Sequence, residues 1–327
     1  MKKSIVALIV FSSMIAVGFT SQLSNAQTKF PLTIKHDLGT TEIKEQPRRV
    51  VAFSEEAVEL LAALEVKPVG FASQRIISRN LSGALIGQPF SGITFPIAAT
   101  LENAAFLGGA NQPSLEAITV SKPDLIVAYT DEGTYLKGDG YAQLSKIAPT
   151  LAYNFRASNG SIPWQSALEQ VAQALGREAA ARAYIADFRA RIASYKSKFK
   201  RIVARSPRIT IMFMPNPNVN FMLGSQSGFV PILQQLGFTY TVPTNVNLPG
   251  NTGGPVALEV LPTFETDVVI ALRLRTAAGE LGKLPAEELL GRGKAKVVRY
   301  VLDPLEGQSG PITDLVRVEN LLKLMEK

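Results

Sequence analysis

The chain contains no cysteine and only one histidine in 327 residues. The absence of cysteine excludes disulfides, thiol nucleophiles, iron–sulfur clusters and thiolate zinc sites. Most transition-metal sites and most general bases use imidazole, so the single histidine, His36, argues against a metalloenzyme and against a Ser-His-Asp hydrolase. The chain therefore lacks the side chains on which most metal and acid–base chemistry depends.

Charged residues are also sparse, at 19%, whereas hydrophobic residues make up 46% of the chain. This composition supports sizeable cores, and the length allows two domains of about 150 residues each. The formal net charge is +7, and much of the excess lies between Arg177 and Arg201 on one predicted helix. Because charges of opposite sign recur there at i, i+4 spacing, we interpret this stretch as a solvated helix face and expect no nucleic-acid binding.

Residues 1–26 have the features of a secretory signal. Two lysines near the start precede an apolar stretch from Ile5 to Phe19, and the small residues Ser24 and Ala26 follow it. We predict cleavage after Ala26 and export of the mature protein to the periplasm. A retained N-terminal membrane anchor is the alternative, and a lipid anchor is less favoured still because no lipobox cysteine is available to carry it.

From Arg49 onward, short aliphatic runs alternate with longer helical patterns, which favours parallel βα units and an α/β fold. The predicted strands are Val50–Phe53, Val69–Ala72, Leu125–Tyr129, Ile209–Met214 and Val268–Leu272. The predicted helices are Ser54–Leu64 with Ser54 as its N-cap, Ser114–Val120, Trp164–Leu175 closed by Gly176, and Phe229–Leu236 closed by Gly237. Glycine after the last helical residue is the usual helix stop.

A longer helical pattern runs from Arg177 to Val203 between the two halves. At 1.5 Å per residue it would be about 40 Å long. Its length and its uninterrupted, alanine-rich character favour a connector between two lobes over a core helix of a single domain. We predict an N-terminal lobe at 27–176, a connecting helix at 177–205 and a C-terminal lobe at 206–327.

An internal similarity indicates that the two lobes are built alike. Glu116 precedes Asp124 and a predicted strand by eight residues, and Glu259 precedes Asp267 and another predicted strand by the same offset. A second pair of similar stretches, in the same order, is Leu60–Val66 and Ile232–Phe238. Two such pairs favour a duplicated architecture over chance.

Catalytic and nucleotide-binding motifs are absent from the sequence. No phosphate-binding G-x-x-x-x-G-K-[ST] occurs, and the stretch Gly224–Gly228 carries Gln226 where a nucleophilic serine would stand. The adjacent glutamates Glu55 and Glu56 diverge on a helix instead of converging on a substrate. We expect no catalytic residues.

Several stretches resemble the substrate-binding proteins of ABC importers for ferric siderophores, haem and cobalamin. The most specific pieces are the P-S-L-E-x-I…K-P-D-L-I run within Leu107–Ala128 and the K-I-A-P-T run within Leu144–Thr150, the latter typical of the iron-siderophore branch. The other similar stretches are Arg48–Ala72, Trp164–Phe199, Ser227–Phe238 and Ala257–Ile270. This resemblance implies two Rossmann-like lobes joined by one long α-helix, a ligand cleft between the lobes and only small closure.

Two features depart from the family pattern. Glu65 stands where a glycine is usual after the first helix, and Gly83–Thr100 looks like an insertion that could reshape the cleft.

The resemblance also implies a role for the repeated glutamates. In such proteins one exposed acidic residue on each lobe docks on arginines of the permease dimer, and the matching residues here are Glu116 and Glu259. The implied protein is a monomeric receptor, not an enzyme, that delivers a ferric siderophore to an ABC permease dimer in the inner membrane.

A ferric siderophore fills the iron coordination shell with its own oxygens, so we expect neither a metal ligand nor a cofactor of the protein. Ligands of open α/β lobes sit beyond the carboxyl ends of the strands, where cations and apolar surface would hold an anionic complex. The candidates in the first lobe are Ser54, Arg75, Arg79, Tyr129, Tyr135, Lys137 and Arg156; those in the second are Met214, Asn216, Phe221, Arg273 and Arg275. Arg75, Arg273 and Arg275 are the preferred cations.

Two other functions stay open from the sequence. One is a haem or corrinoid receptor of the same family, in which Tyr129 or Tyr135 would be an axial haem ligand. The other is a secreted hydrolase. We expect the single tryptophan, Trp164, to be a packing residue at a helix start, and His36 to bind no ligand.

Overall fold

The computed structural model describes residues 28–73, 96–130, 135–156, 161–218, 220–246, 248, 253–274, 282–303, 306–307 and 309–327. The predicted leader 1–26 and most of the predicted insertion at 83–100 lie outside these residues. Among the described helices, none is both long and apolar enough to cross a bilayer.

The first lobe combines a hairpin with a six-stranded sheet. The hairpin consists of β1 (Leu32–His36) and β2 (Gly39–Ile43). The sheet has the order β6-β5-β4-β3-β7-β8, with strands β3 (Val50–Phe53), β4 (Gly70–Ser73), β5 (Ala105–Gly109), β6 (Gln112–Pro113), β7 (Leu125–Tyr129) and β8 (Thr150–Tyr153). The helices are α1 (Glu55–Ala63), α2 (Leu115–Val120), α3 (Tyr141–Ile147) and α4 (Pro163–Leu175), with a 3₁₀ helix at Pro96–Leu101.

A single helix of 28 residues, α5 (Glu178–Arg205), leads from this lobe into the next. The second sheet has the order β12-β10-β9-β13-β14, with β11 also paired to β9. Its strands are β9 (Arg208–Phe213), β10 (Phe221–Leu223), β11 (Thr239–Tyr240), β12 (Gly253–Pro255), β13 (Val268–Leu274) and β14 (Lys296–Leu302). Its helices are α6 (Val230–Leu236), α7 (Pro285–Arg292) and α8 (Pro311–Met325), with a 3₁₀ helix at Leu258–Thr263.

The central strands of both sheets are parallel. In the first lobe β3 pairs in parallel with β4 and β7, and in the second β13 pairs in parallel with β9 and β14. All residues of β3 and β7 are buried, as expected for strands covered on both faces. The predicted α/β fold with two lobes and one connecting helix is therefore confirmed.

One hydrophobic cluster extends through both lobes. Alternate strand residues such as Val127 in the first sheet and Ile270 in the second contribute to it, together with Phe188 and Phe199 of α5. The opposite faces of the two sheets contribute to separate clusters, one in each lobe. The lobes thus share a core along the helices that lie between them.

Candidate functional site

The carboxyl end of β3 leads directly into α1. Ser54 occupies the N-cap with φ of 137°, and its Oγ accepts a hydrogen bond from the Ala57 N–H at 3.2 Å. In the neighbouring strand, the Ser73 hydroxyl donates to the carboxylate of Glu55. Ser54 is fully buried, so its side chain caps the helix and is not exposed to the cleft.

Two aromatic pairs lie near the carboxyl ends of β7 and β8. Tyr129 packs edge-on against Phe155, with ring centroids 5.6 Å apart, and is only 4% exposed. Tyr135 is half-buried 6.1 Å from the ring of Phe53, and its hydroxyl donates to Gln143. Tyr135 is therefore the more accessible of the two tyrosines considered as haem ligands.

The second lobe places its predicted residues at different depths. Met214 is fully buried and its N–H donates to the Leu272 carbonyl at 2.8 Å. Asn216 is exposed, and its Oδ1 accepts from the N–H of Asn218 at 2.9 Å. Phe221 of β10 is half-buried.

Arg273, a preferred ligand cation, lies inside the second lobe at 2% exposure. Its Nη1 donates to Glu287 at 2.8 Å, and Arg299 donates from Nε to the other oxygen of the same carboxylate at 2.9 Å. Burial opposes the charge of Glu287, but the hydrogen bonds from Arg299 and the Leu284 N–H, together with both cations, lower its pKa. Two arginines thus share one carboxylate.

The structure divides the predicted ligand residues into three groups. Those with accessible side chains are Tyr135, Lys137, Arg156, Asn216 and Phe221. Those buried in packing or ion-pair contacts are Ser54, Tyr129, Met214 and Arg273. Arg75, Arg79 and Arg275 lie outside the described residues. Ligand contact by any of the twelve stays a prediction.

A polar groove of about 910 Å³ lies beside Arg156, bounded by the hairpin, α4, α5 and α6. Tyr153, Gln165 and Gln170 line it, and each has one buried polar atom without a hydrogen-bond partner. These three residues could not be predicted from the sequence, because contacts between distant elements bring them together.

His36, which was expected to bind no ligand, lies in this region but is 6% exposed. Its Nε2 lies 2.9 Å from the Thr41 hydroxyl and 3.1 Å from the Tyr141 hydroxyl. Burial lowers the pKa of the imidazole, against the opposing charge of Asp37. Within the described ranges, no three His, Asp or Glu side chains form a group that could hold a metal ion.

The repeated glutamates occupy similar places in the two lobes. Glu116 is exposed in the first turn of α2, and Glu259 is exposed in the first turn of the 3₁₀ helix at 258–263. The residues eight positions later, Asp124 and Asp267, immediately precede the central strands β7 and β13. The equal spacing in the sequence therefore reflects equal placement in the fold.

The model of the periplasmic binding protein family matches residues 50–278, which include β3 of the first lobe and β13 of the second. The chain belongs to the periplasmic binding protein family. The matched residues include parts of both lobes and the whole of the connecting helix.

Curated relatives of this periplasmic binding protein are similar over most of their length. YhfQ of Bacillus subtilis, named as an ABC transporter substrate-binding lipoprotein, is 28% identical over 311 residues, which cover 91% of this chain and 88% of YhfQ. The Fe(3+)-citrate-binding protein YfmC of the same organism is 24% identical over 272 residues, covering 81% of this chain and 78% of YfmC.

Solved structures share the fold. SirA of Staphylococcus aureus, complexed with staphyloferrin B, has a TM-score of 0.64 and 21% identity, covering 90% of this chain and 98% of SirA. The petrobactin-binding protein YclQ of Bacillus subtilis has a TM-score of 0.65 and 18% identity, covering 91% of this chain and the whole of YclQ.

Proposed function

We propose that this protein captures a ferric siderophore between its lobes and delivers it to an ABC permease dimer in the inner membrane. The observation that carries the proposal is the family match from β3 to the region beyond β13, because it includes central strands of both lobes. Relatives named for ferric citrate and other ferric siderophores support the choice of ligand.

The chemistry of the accessible residues suits an iron complex whose coordination shell is already full. Lys137 and Arg156 supply positive charge, Asn216 supplies hydrogen bonds, and Tyr135 and Phe221 supply aromatic surface. An anionic chelate needs these contacts to its organic shell and no metal–protein bond. The protein then acts as a receptor without a cofactor of its own.

Delivery requires contact with the permease, and we assign this contact to Glu116 and Glu259. Both side chains are exposed, so each ion pair with a permease arginine contributes only about 0–1 kcal/mol. The two glutamates, one on each lobe, match the two subunits of a permease dimer. The pair therefore orients the encounter more than it strengthens it.

We assign the mature protein to the periplasm, with the leader removed after Ala26. Two relatives are named lipoproteins, whereas this chain has no cysteine to carry a lipid. We therefore propose that, in contrast to a lipoprotein held at a membrane, this protein diffuses as a monomer between the outer and inner membranes.

Calorimetric titration of the exported protein with ferric citrate, a ferric hydroxamate and a ferric catecholate tests the proposal. We expect one class to bind with 1:1 stoichiometry and its iron-free chelator to bind far more weakly. Arg156→Ala and Lys137→Ala should each weaken that ligand about tenfold, equivalent to about 1.4 kcal/mol. Lys294→Ala is the matched control, because Lys294 is also exposed but lies just before the first residue of β14, at the opposite end of the strand from its carboxyl end. Binding of haem or cobalamin in place of every ferric chelate would contradict the proposal.

A further inference from the structure

The first turn of α8, which belongs to the second lobe, is held by side chains of the first lobe. Glu59 of α1 accepts hydrogen bonds from the N–H groups of Ile312 and Thr313, at 2.9 and 2.7 Å. The Thr313 hydroxyl donates to the other oxygen of the same carboxylate. Glu59 therefore satisfies N–H groups that a helix start leaves without an intrahelical partner.

Two further side chains contact the same turn from outside the second lobe. The indole Nε1 of Trp164 in α4 donates to Asp314 at 2.9 Å, and the hydroxyl of Tyr184 in α5 donates to the Pro311 carbonyl at 2.9 Å. Trp164, Glu59 and Asp314 are each fully buried. The start of α8 is thus bound by α1, α4 and α5 together.

The approach of the two lobes at this point is close. A Cβ on Gly310, the N-cap of α8, would lie 2.7 Å from the carboxyl carbon of Glu59. A Cβ on Gly228 would lie 2.8 Å from the Phe155 carbonyl of the first lobe. A Cβ at either position would therefore push the facing groups of the first lobe away, and any shift of α8 relative to α1 would break several contacts at once.

The contact involves a helix that starts where ligands of open α/β lobes are expected, at the carboxyl end of a central strand. Glu59 is on the helix that begins at the carboxyl end of β3, where Ser54 forms the N-cap. On the other side, the residues before α8 approach the same helix, since a Cβ on Gly307 would lie 3.1 Å from Glu56 Oε1. Both ends of the contact are thus on segments that lead to the strand ends of their lobes.

We propose that Glu59 is a positioning residue that, by binding the first turn of α8, fixes the second lobe against the first and sets the opening of the ligand cleft. Its effect on ligand affinity rests on the proposed function, whereas its effect on lobe geometry does not. Trp164 and Tyr184 support the same contact.

Interlobe distance measures the effect directly. Because the chain has no cysteine, Val120→Cys and Glu265→Cys introduce two unique, exposed spin-label sites, one on each lobe. We expect a narrow distance distribution in the parent protein. Glu59→Ala should broaden it and add a longer distance, and Tyr184→Phe, which removes a single hydroxyl, should broaden it less.

Glu59→Gln keeps an acceptor oxygen for the two N–H groups. At pH 6 we therefore expect this variant to have the same narrow distribution of interlobe distances as the parent protein. The matched control is Asp124→Ala, because Asp124 also accepts two backbone N–H groups, from Arg48 and Arg49 at 2.8 and 2.7 Å, but within one lobe. Asp124→Ala should leave the interlobe distance unchanged. A Glu59→Ala distribution that coincides with that of the parent would overturn the proposal. If Glu59→Ala does not fold, a Tyr184→Phe distribution that coincides with that of the parent would overturn it.

Affinity tests the second half of the inference, using the ferric chelate that binds the parent protein. If the loosened lobes are in the competent arrangement about a tenth of the time, apparent affinity falls about tenfold. Glu59→Gln should retain parent affinity. An altered distance distribution with unchanged affinity would overturn the assignment of Glu59 to the cleft. Failure of every chelate to bind would overturn the proposed function and leave the distance result standing.

Discussion

The same hydrogen-bond arrangement occurs in both lobes. At the start of one strand, backbone N–H groups donate to an aspartate that lies just before the adjacent strand. In the first lobe Asp124 accepts the N–H groups of Arg48 and Arg49, just before β3. In the second lobe Asp267 accepts the N–H of Arg208 at 2.8 Å and also its guanidinium at 2.9 Å. The two lobes therefore use the same contact between neighbouring strands. This shared contact explains why an aspartate occurs at the same place in the two similar stretches.

The lobes differ in how they satisfy a buried carboxyl group. The second lobe pairs Glu306 with Arg317, both buried, within its own chain segment. Glu59 of the first lobe depends instead on backbone N–H groups of the second lobe. By the similarity between Leu60–Val66 and Ile232–Phe238, the residue of α6 that corresponds to Glu59 is Pro231. The duplicated scaffold thus carries the interlobe carboxylate on one side only.

Removal of the internal ion pair of the second lobe should have the largest effect on stability. Arg317 donates from Nε to Glu306 at 2.8 Å and is 2% exposed. Glu306→Ala removes the carboxylate that accepts this bond from a buried guanidinium, and we expect the free energy of unfolding to fall by about 3–5 kcal/mol. Urea denaturation followed by circular dichroism measures it.

The control for that variant is Glu319→Ala, which breaks the exposed i, i+4 pair with Lys323 and should cost about 0.3–0.5 kcal/mol. Equal losses in the two variants would show that burial does not distinguish these ion pairs.

The interlobe carboxylate should make stability depend on pH in the opposite sense to an ordinary surface acid. Burial raises the pKa of Glu59 to about 8, although the hydrogen bonds from Thr313 oppose it and the charges of Asp314 and Glu56 add to it. Burial likewise raises the pKa of Asp314 to about 7. Two further titratable groups act at this contact: the charge of Arg317 opposes the raised pKa of Asp314, and burial raises the pKa of Tyr184 of α5.

Between the ordinary carboxyl pKa and these raised values, the folded chain holds protons that the unfolded chain has released. Each group's contribution to stability is full below its unfolded pKa and declines as pH rises. The decline is about 1.4 kcal/mol per pH unit where the folded chain keeps the proton and the unfolded chain has lost it. Glu59→Gln cannot titrate, so from pH 5 to pH 7 its free energy of unfolding should fall less steeply than that of the parent. Urea denaturation at pH 5, 6 and 7 measures the slopes. Glu319→Gln, an exposed control, should run parallel to the parent, and a parallel curve for Glu59→Gln would contradict the raised pKa.

The local features of both lobes were predictable from the sequence. The bounds of β3 and β7 agree with the prediction, and α4 and α6 end at Gly176 and Gly237 as expected from glycine stops. These elements depend on apolar runs and capping residues that lie next to one another in the chain. Trp164 also packs in the interior as predicted.

Features that depend on distant partners were not predictable. The hairpin β1–β2 was not predicted, and it is held by contacts such as the Asn154 N–H donating to Asp37 at 2.5 Å, 117 residues away. Glu59 looked like an ordinary helix residue, because its partner Thr313 is 254 residues distant. The burial of Arg273 depends on Glu287, which no local pattern connects to it.

The ends of the corresponding helices α1 and α6 offer the smallest test of the comparison. In both, the residue after the last leucine has a left-handed backbone, with φ of 57° at Glu65 and 106° at Gly237. The following N–H groups bond back to equivalent carbonyls, Val66 to Leu61 at 2.8 Å and Phe238 to Leu233 at 3.0 Å. Both helices therefore end in the same motif. The left-handed backbone is strained at Glu65, whereas glycine adopts it readily at position 237.

Exchange of these two residue types should move stability in opposite directions. Glu65→Gly relieves the left-handed strain of an exposed side chain and should raise the free energy of unfolding by about 0.5–1 kcal/mol, after the entropy that glycine adds to the unfolded chain. Gly237→Ala should lower it by about 1 kcal/mol. Its Cβ would lie 3.5 Å from Val203 Cγ1, an ordinary contact, so the cost comes from the backbone alone. Urea denaturation of both variants measures the two changes, and a loss of stability in Glu65→Gly would mean that the glutamate side chain contributes more than its strained backbone costs.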